Sequence, residues 1–216
     1  MKQPPISKKH DVIEMIAPSF GVADPFYAAR YDAARRHFEK LGYRVKEGKN
    51  VHLAEGVVAS ASPEARAEEF LTACQDDSAL ILSVGGGELM DEILPFIPFS
   101  DMHDLKPKWF MGFSDNTNLT YPLTTLLDWI TIYGPNAPSF YEWPMRLNQA
   151  DALRLLKGEK EFWGYDKWAK PNFRKKPDST KKKNPLYRGL YRTPKVITPS
   201  GYEGPFEGRL LGGCLD

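Results

Sequence analysis

The chain has 216 residues, 42% hydrophobic and 12% aromatic, enough apolar material to bury the core of one domain, or of one domain and part of another. Its 29 basic and 28 acidic residues leave a formal net charge of +1, which excludes a global field drawing nucleic acid, an acidic partner or a membrane surface. No run of about eighteen apolar residues occurs and the start, MKQPPISKKHD, lacks an apolar signal-peptide core, so the sequence reads as cytoplasmic, without a membrane span.

From Asp11 onward, short apolar runs alternate with longer amphipathic stretches, the pattern of an α/β, Rossmann-like fold: a mainly parallel sheet flanked by helices. The predicted strands are Val12 to Ala17, Tyr43 to Lys46, Ala79 to Val84, Trp109 to Phe113 and Ile130 to Tyr133. Between the first two, Tyr31, Ala34, Phe38 and Leu41 recur at three- and four-residue spacings and place one apolar stripe of a helix over Pro25 to Leu41 against the sheet. Ser62, Pro63 and Glu64 read as an N-cap, a first-turn proline and an early acidic charge, opening a helix that runs to about Cys74. Asn116 to Trp129 predicts another helix, with Pro122 marking a kink or a late start.

After about Tyr141 the pattern changes. A short helix over Asn148 to Lys157 is followed by Trp, Pro, Lys and Gly without a clear period, so we expect a nucleophile domain over 1–145, an irregular linker over 146–205 and the start of a second, smaller domain over 206–216. The basic run Arg174 to Lys183 has no periodic aromatic pattern beside it and reads as a solvated loop, not a nucleic-acid patch. The two cysteines, Cys74 and Cys214, form neither a metal-ligand cluster nor a disulfide framework.

The chemistry concentrates at Lys108 to Leu119, KWFMGFSDNTNL. An apolar strand, a turn at Gly112-Phe113-Ser114-Asp115 and a helix would lift the Ser114 hydroxyl from the sheet edge and leave backbone N–H groups beside it, the arrangement of a nucleophile elbow suited to acyl transfer. Asn116 stands where the G-x-S-x-G pattern has its second glycine, and Ser114 or Asp115 could equally serve as an ordinary N-cap. A second turn, Ser83-Val84-Gly85-Gly86-Gly87-Glu88, also follows a strand and leads into a helix. Its glycines permit close backbone approach, so Gly86 and Gly87 could donate N–H groups to an oxyanion, while Glu88 could position a substrate amine. Neither a dinucleotide fingerprint nor a P-loop is present.

Five segments occur in the order found in LD-carboxypeptidases, a family that this chain therefore resembles: Ala17-Pro18-Ser19, Ser62 to Arg66, Gly85 to Glu88, Gly112 to Asp115, and Tyr133-Gly134-Pro135-Asn136. Within it the chain looks closest to the branch containing the microcin C immunity proteins. The resemblance implies a class I glutamine amidotransferase-like sheet domain, Ser114 as nucleophile, and the N–H groups of Asp115 and Gly86 as oxyanion donors, with Gly87 a neighbouring candidate. It implies no cofactor and no metal. The substrate would be a small peptide, cleaved at an amide beside a free carboxylate, or a peptidyl or aminoacyl nucleotide. A homodimer is also implied.

Glu207 to Asp216 resembles the family's Gly-x-Leu-x-Gly-Gly-Asn-Leu segment, with Cys214 in the asparagine position. In the family a triad glutamate and histidine lie downstream of that segment, so we expect neither within these residues. His10 and His103 precede strands and His37 lies in a crossover helix. A five-residue strand spans roughly 17 Å, which puts His10 and His103, with Lys106 and Lys108, beyond reach of Ser114. His52 follows the second strand and reads as a solvated loop residue. Tyr133, Phe140, Tyr141 and Trp143 cluster after the fifth strand, as a cleft wall, core packing or a dimer surface. The alternative to a hydrolase is a catalytically silent protein that binds peptides or nucleotide conjugates in the same cleft.

Overall fold

Five strands make one parallel sheet: β1 (Val12–Ile16), β2 (Arg44–Glu47), β3 (Leu80–Ser83), β4 (Trp109–Gly112) and β5 (Ile132–Tyr133), in the order β2-β1-β3-β4-β5. The computed structural model describes residues 1–55, 58–160, 167–171, 190–194, 207–208 and 210–214. β1, β3 and β4 are buried throughout, whereas the edge strand β2 is largely exposed. Strands covered on both faces have no solvent side to alternate toward, so these three are nearly continuous apolar runs in the sequence, broken only by Glu14 in β1 and Ser83 in β3.

Alternate residues of the sheet feed two cores. On one face Ile13, Met15, Leu80, Leu82, Trp109 and Met111 pack with α1 (Pro25–Lys40), whose Tyr31, Ala34 and Phe38 are fully buried as the helical spacing predicts. On the other, Ile16, Ile81 and Phe110 pack with Phe70 and Ala73 of α2 (Pro63–Gln75) and with Leu119 and Leu123 of α3 (Thr117–Thr125). Ser62 caps α2 by accepting the Ala65 N–H, as expected, and Asp24 caps α1 by accepting from Phe26 and Tyr27. α4 (Leu147–Leu156) covers the first face with Ala152, Leu153 and Leu156.

Three expected elements are shorter or tighter than the sequence pattern. α3 ends at Thr125, not Trp129, because Asp128 takes a left-handed φ of 62° that no α-helix continues, while Pro122 is accommodated inside α3. The strand at 130–133 contracts to Ile132–Tyr133, since the Ile130 N–H is spent on the Lys2 carbonyl. The glycine turn leads into a 3₁₀ helix, Met90–Phe96, with Pro95 inside it.

At the end of the sheet from which β3 and β4 start, charges are packed together. Lys108 Nζ donates to the carbonyls of Ala73 and Asp76 at 2.7 and 2.5 Å, and to Asp76 Oδ1 at 2.8 Å, closing the C-terminus of α2. Lys46 bridges Asp76 and the buried Glu14 at 2.6 and 2.9 Å. Burial, then the hydrogen bond to Asp76, pushes the Glu14 carboxyl up to about 7, against the opposing pull of Lys46. Burial alone would raise Asp76 too, but its hydrogen bonds with Glu14, Lys108, Lys46 and Ser78 hold it below the usual carboxylate range.

Met1–Lys160 and Leu210–Asp216 form one compact unit. Glu161–Arg209 form another, in which β6 (Lys167–Pro171) and β7 (Leu190–Pro194) pair antiparallel. The basic run 174–183 lies outside the described residues. Among the described residues no helix is long and apolar enough to cross a membrane.

Candidate active site

The strand order places a topological switch between β1 and β3, and in open α/β sheets ligands bind beyond the carboxyl ends of strands at such a point. The loops after β1, β3, β4 and β5 meet there. After Gly112 the chain turns sharply: Phe113 is extended, Ser114 adopts a φ of 63°, and Ser114–Asn116 form one 3₁₀ turn that runs into α3. Serine seldom takes the left-handed region, at a cost of roughly 1–2 kcal/mol, so the surroundings must over-determine it.

Two side chains do so from outside the turn. Asn136 Oδ1 accepts the Phe113 N–H at 3.1 Å, and Tyr133 Oη accepts the Ser114 N–H at 3.0 Å. A third works from within. Asn116, fully buried, donates through Nδ2 to the carbonyls of Gly85 and Phe113, both at 3.0 Å, and to Asn136 Oδ1 at 3.3 Å. One amide thereby ties the loops after β3, β4 and β5 together. Gly112 makes room for it, since a Cβ there would lie 2.5 Å from Asn116 Cγ.

Gly86 lies directly against Ser114. A side chain at Gly86 would begin 3.1 Å from Ser114 Cβ and 3.4 Å from its Oγ. Among the described residues, the N–H groups of Asp115 and Gly86 have no protein acceptor, whereas those of Phe113 and Ser114 are taken by side chains. Both unspent N–H groups belong to backbone next to Ser114, that of Asp115 in sequence and that of Gly86 in space. Asp115 points its carboxylate away, accepting at Oδ2 from Ser19 Oγ at 2.5 Å and the Met90 N–H at 3.0 Å, and at Oδ1 from Asn118 Nδ2 at 2.9 Å. Gly87 lies against that Ser19–Asp115 pair, and Glu88 is exposed.

The last described segment borders the same turn. Cys214 donates its N–H to Thr117 Oγ1 at 2.9 Å, and its thiol lies 2.9 Å from Tyr133 Oη. Burial, then the contact with Cys214, raises the Tyr133 phenol above its ordinary value, so it stays protonated and holds both partners.

No histidine contact reaches Ser114. His37 Nδ1 lies 2.9 Å from the Phe140 carbonyl, His52 is over half exposed beside Glu47, and the His103 carbonyl accepts from Lys2. Of the aromatic cluster, Phe140 is core against Phe38, Tyr141 lies under Arg30, and Trp143 stacks on His37. Only Tyr133 joins the turn. Sequence reasoning passed over Tyr133, Asn136, Ser19 and Asn116 as site residues. Tyr133, Asn136 and Ser19 stand inside matched motifs, and Asn116 was visible as the departure from the second glycine. Among the described residues no three His, Cys, Asp or Glu side chains are grouped to hold a metal ion.

Comparisons with known proteins fit this geometry. A relative from Vibrio cholerae is 29% identical over 136 residues, 62% of this chain and 40% of that protein. The microcin C7 self-immunity protein MccF of Escherichia coli is 26% identical over 189 residues, 82% of this chain and 52% of MccF. This chain therefore spans about half the length of the relatives it matches. Solved MccF superposes with a TM-score of 0.71 at 23% identity, covering 88% of this chain and 56% of MccF. An MccF-like protein from Bacillus anthracis gives 0.65 at 24%, covering 71% and 46%. MccF has also been solved with aspartyl sulfamoyl adenosine and with glutamyl sulfamoyl guanosine. The LD-carboxypeptidase N-terminal domain profile matches residues 13–134, from β1 to the turn after β5 and more than half of the chain, so the chain belongs to the LD-carboxypeptidase family.

Proposed function

We propose that Ser114 is the nucleophile of an amide hydrolase that acts on a small peptide or on a peptidyl or aminoacyl nucleotide. The observation that carries this reading is the strained turn itself: a serine at φ 63° with the unspent N–H groups of Asp115 and Gly86 on neighbouring backbone. Attack of Ser114 Oγ on the scissile carbonyl makes a tetrahedral oxyanion, and those two donors would stabilise it without reorganising. Each is worth about 3–4 kcal/mol in comparable sites. The Oγ proton passes to a general base and then to the leaving amine. As the resemblance implies, that base is a histidine, paired with a glutamate, from the family's C-terminal domain.

The substrate class follows from the branch resemblance and the acyl-nucleotide analogues bound by MccF. A free carboxylate beside the scissile amide is expected. The test is hydrolysis of an aspartyl-adenylate analogue and of a murein tetrapeptide by the protein encoded by the complete reading frame. Ser114→Ala should lower kcat by about a thousandfold or more, with calorimetric binding retained. Undiminished turnover in that variant would refute the assignment. The contacts of His37, His52 and His103 away from Ser114 favour one second reading, a silent binder in the same cleft, which predicts binding without turnover in the unsubstituted protein too.

A further inference from the structure

Among the described residues Arg66 is the largest buried charged side chain, with no measurable exposure, and the proposed chemistry does not use it. Its guanidinium donates through Nη1 to the carbonyls of Pro18 and Leu89, at 3.2 and 3.0 Å, and through Nη2 to Glu92 Oε2 at 2.7 Å. Those two carbonyls are not arbitrary. Leu89 C=O and Met90 N–H belong to one planar peptide unit, and that N–H donates to Asp115 Oδ2. Pro18 C=O begins the peptide that carries Ser19, whose hydroxyl donates to the same oxygen.

We infer that Arg66 is a positioning residue for Ser114: from inside the core it holds the loops after β1 and β3, which between them fix the Asp115 carboxylate and so aim the Asp115 and Gly86 N–H groups. A planar peptide cannot tilt at one end alone, so a guanidinium on its oxygen fixes the direction of its N–H. The cation also polarises that peptide, strengthening its hydrogen bond to a carboxylate. Guanidinium suits the task because its fork of donors reaches both carbonyls and Glu92 together, which a lysine ammonium on a single stem does not. The significance of this clamp for catalysis rests on the nucleophile reading above, while the clamp itself does not.

The experiment is backbone amide exchange by NMR on the full chain carrying Arg66→Lys. The Met90 N–H should exchange at least tenfold faster and Asp115 measurably faster, with Ile81 and Leu82 of β3 unchanged. Unchanged protection at Met90, or one uniform acceleration across all amides, would overturn the inference. Should Arg66→Lys fail to fold, Glu92→Gln replaces it, removing the half-exposed partner and keeping the guanidinium. It should speed Met90 exchange about threefold, and no change there counts against the clamp. Hydrolysis assayed on the same variants should show kcat falling at least tenfold with KM within twofold. Were the unsubstituted protein inactive, the nucleophile reading alone would fail and the exchange pattern would still decide the role of Arg66.

Discussion

The two ends of the sheet are held by different physics. Where β3 and β4 begin, Lys108, Asp76, Lys46 and Glu14 are locked by charge. Where β3 and β4 end, around Ser114, the turn itself is held by neutral groups, the Asn116 and Asn136 amides, the Tyr133 hydroxyl and glycines that admit backbone contact, with the Asp115 carboxylate engaged by Ser19, Met90 and Asn118. On the nucleophile reading proposed above, an anion held beside the scissile carbonyl would compete for the donors that a developing oxyanion needs, whereas neutral amides hold the turn and leave the Asp115 and Gly86 N–H groups unspent. The buried cation Arg66 reaches the site through the Leu89 and Pro18 carbonyls and makes no contact with the hydroxyl.

That contrast can be broken at either end. Lys108→Met should be the most damaging change, costing about 3–5 kcal/mol, because it takes the donor from two helix-terminal carbonyls and removes one of the two cations paired with Asp76. Urea unfolding measures it, and a loss under about 1 kcal/mol would show that the charged end is not held by charge. Asn116→Ala comes next, at about 2–3 kcal/mol, since three acceptors lose one donor. Its signature is selective: near-UV signals from Tyr133 should change while the Lys108 cluster keeps its pH response.

The smallest effect is the most diagnostic of the charged end. Glu14 keeps its proton up to about pH 7 in the fold against an ordinary 4.5, so its contribution to stability is complete below 4.5 and is lost as pH rises through 7. Asp76 is shifted the other way, so its contribution is present above its ordinary 3.8 and is lost on acidification. Stability should therefore peak near pH 4, where both contributions are present, fall as pH rises from about 4.5 to 7, and level off above that. Glu14→Gln should flatten that alkaline limb. A limb of unchanged slope in this variant would assign the pH dependence elsewhere.

The sheet and its helices were legible because burial on both faces writes itself into composition: WFMG is apolar throughout, VIEMI and LILS are apolar but for Glu14 and Ser83, and the α1 stripe follows the helical period. The Ser114 turn was legible from its place between strand and helix. What holds that turn was not, since Asn116, Asn136 and Tyr133 act across 20 or so residues and no local periodicity records which loops a fold brings together. Arg66 was hidden for a related reason. It stands on α2 beside a capping serine and a first-turn proline, where helix-start chemistry already accounts for the local pattern. Asp128 and Lys2 shortened α3 and β5 through conformations and contacts that propensity does not encode.

The contact between Cys214 and Tyr133 joins residues 81 positions apart, across a chain that leaves its unit after Lys160 and re-enters it at Leu210. Through the Cys214 N–H on Thr117 and the Cys214 thiol beside Tyr133, the returning segment is part of the packing around the Ser114 turn, so a change at Cys214 would reach that turn by two routes.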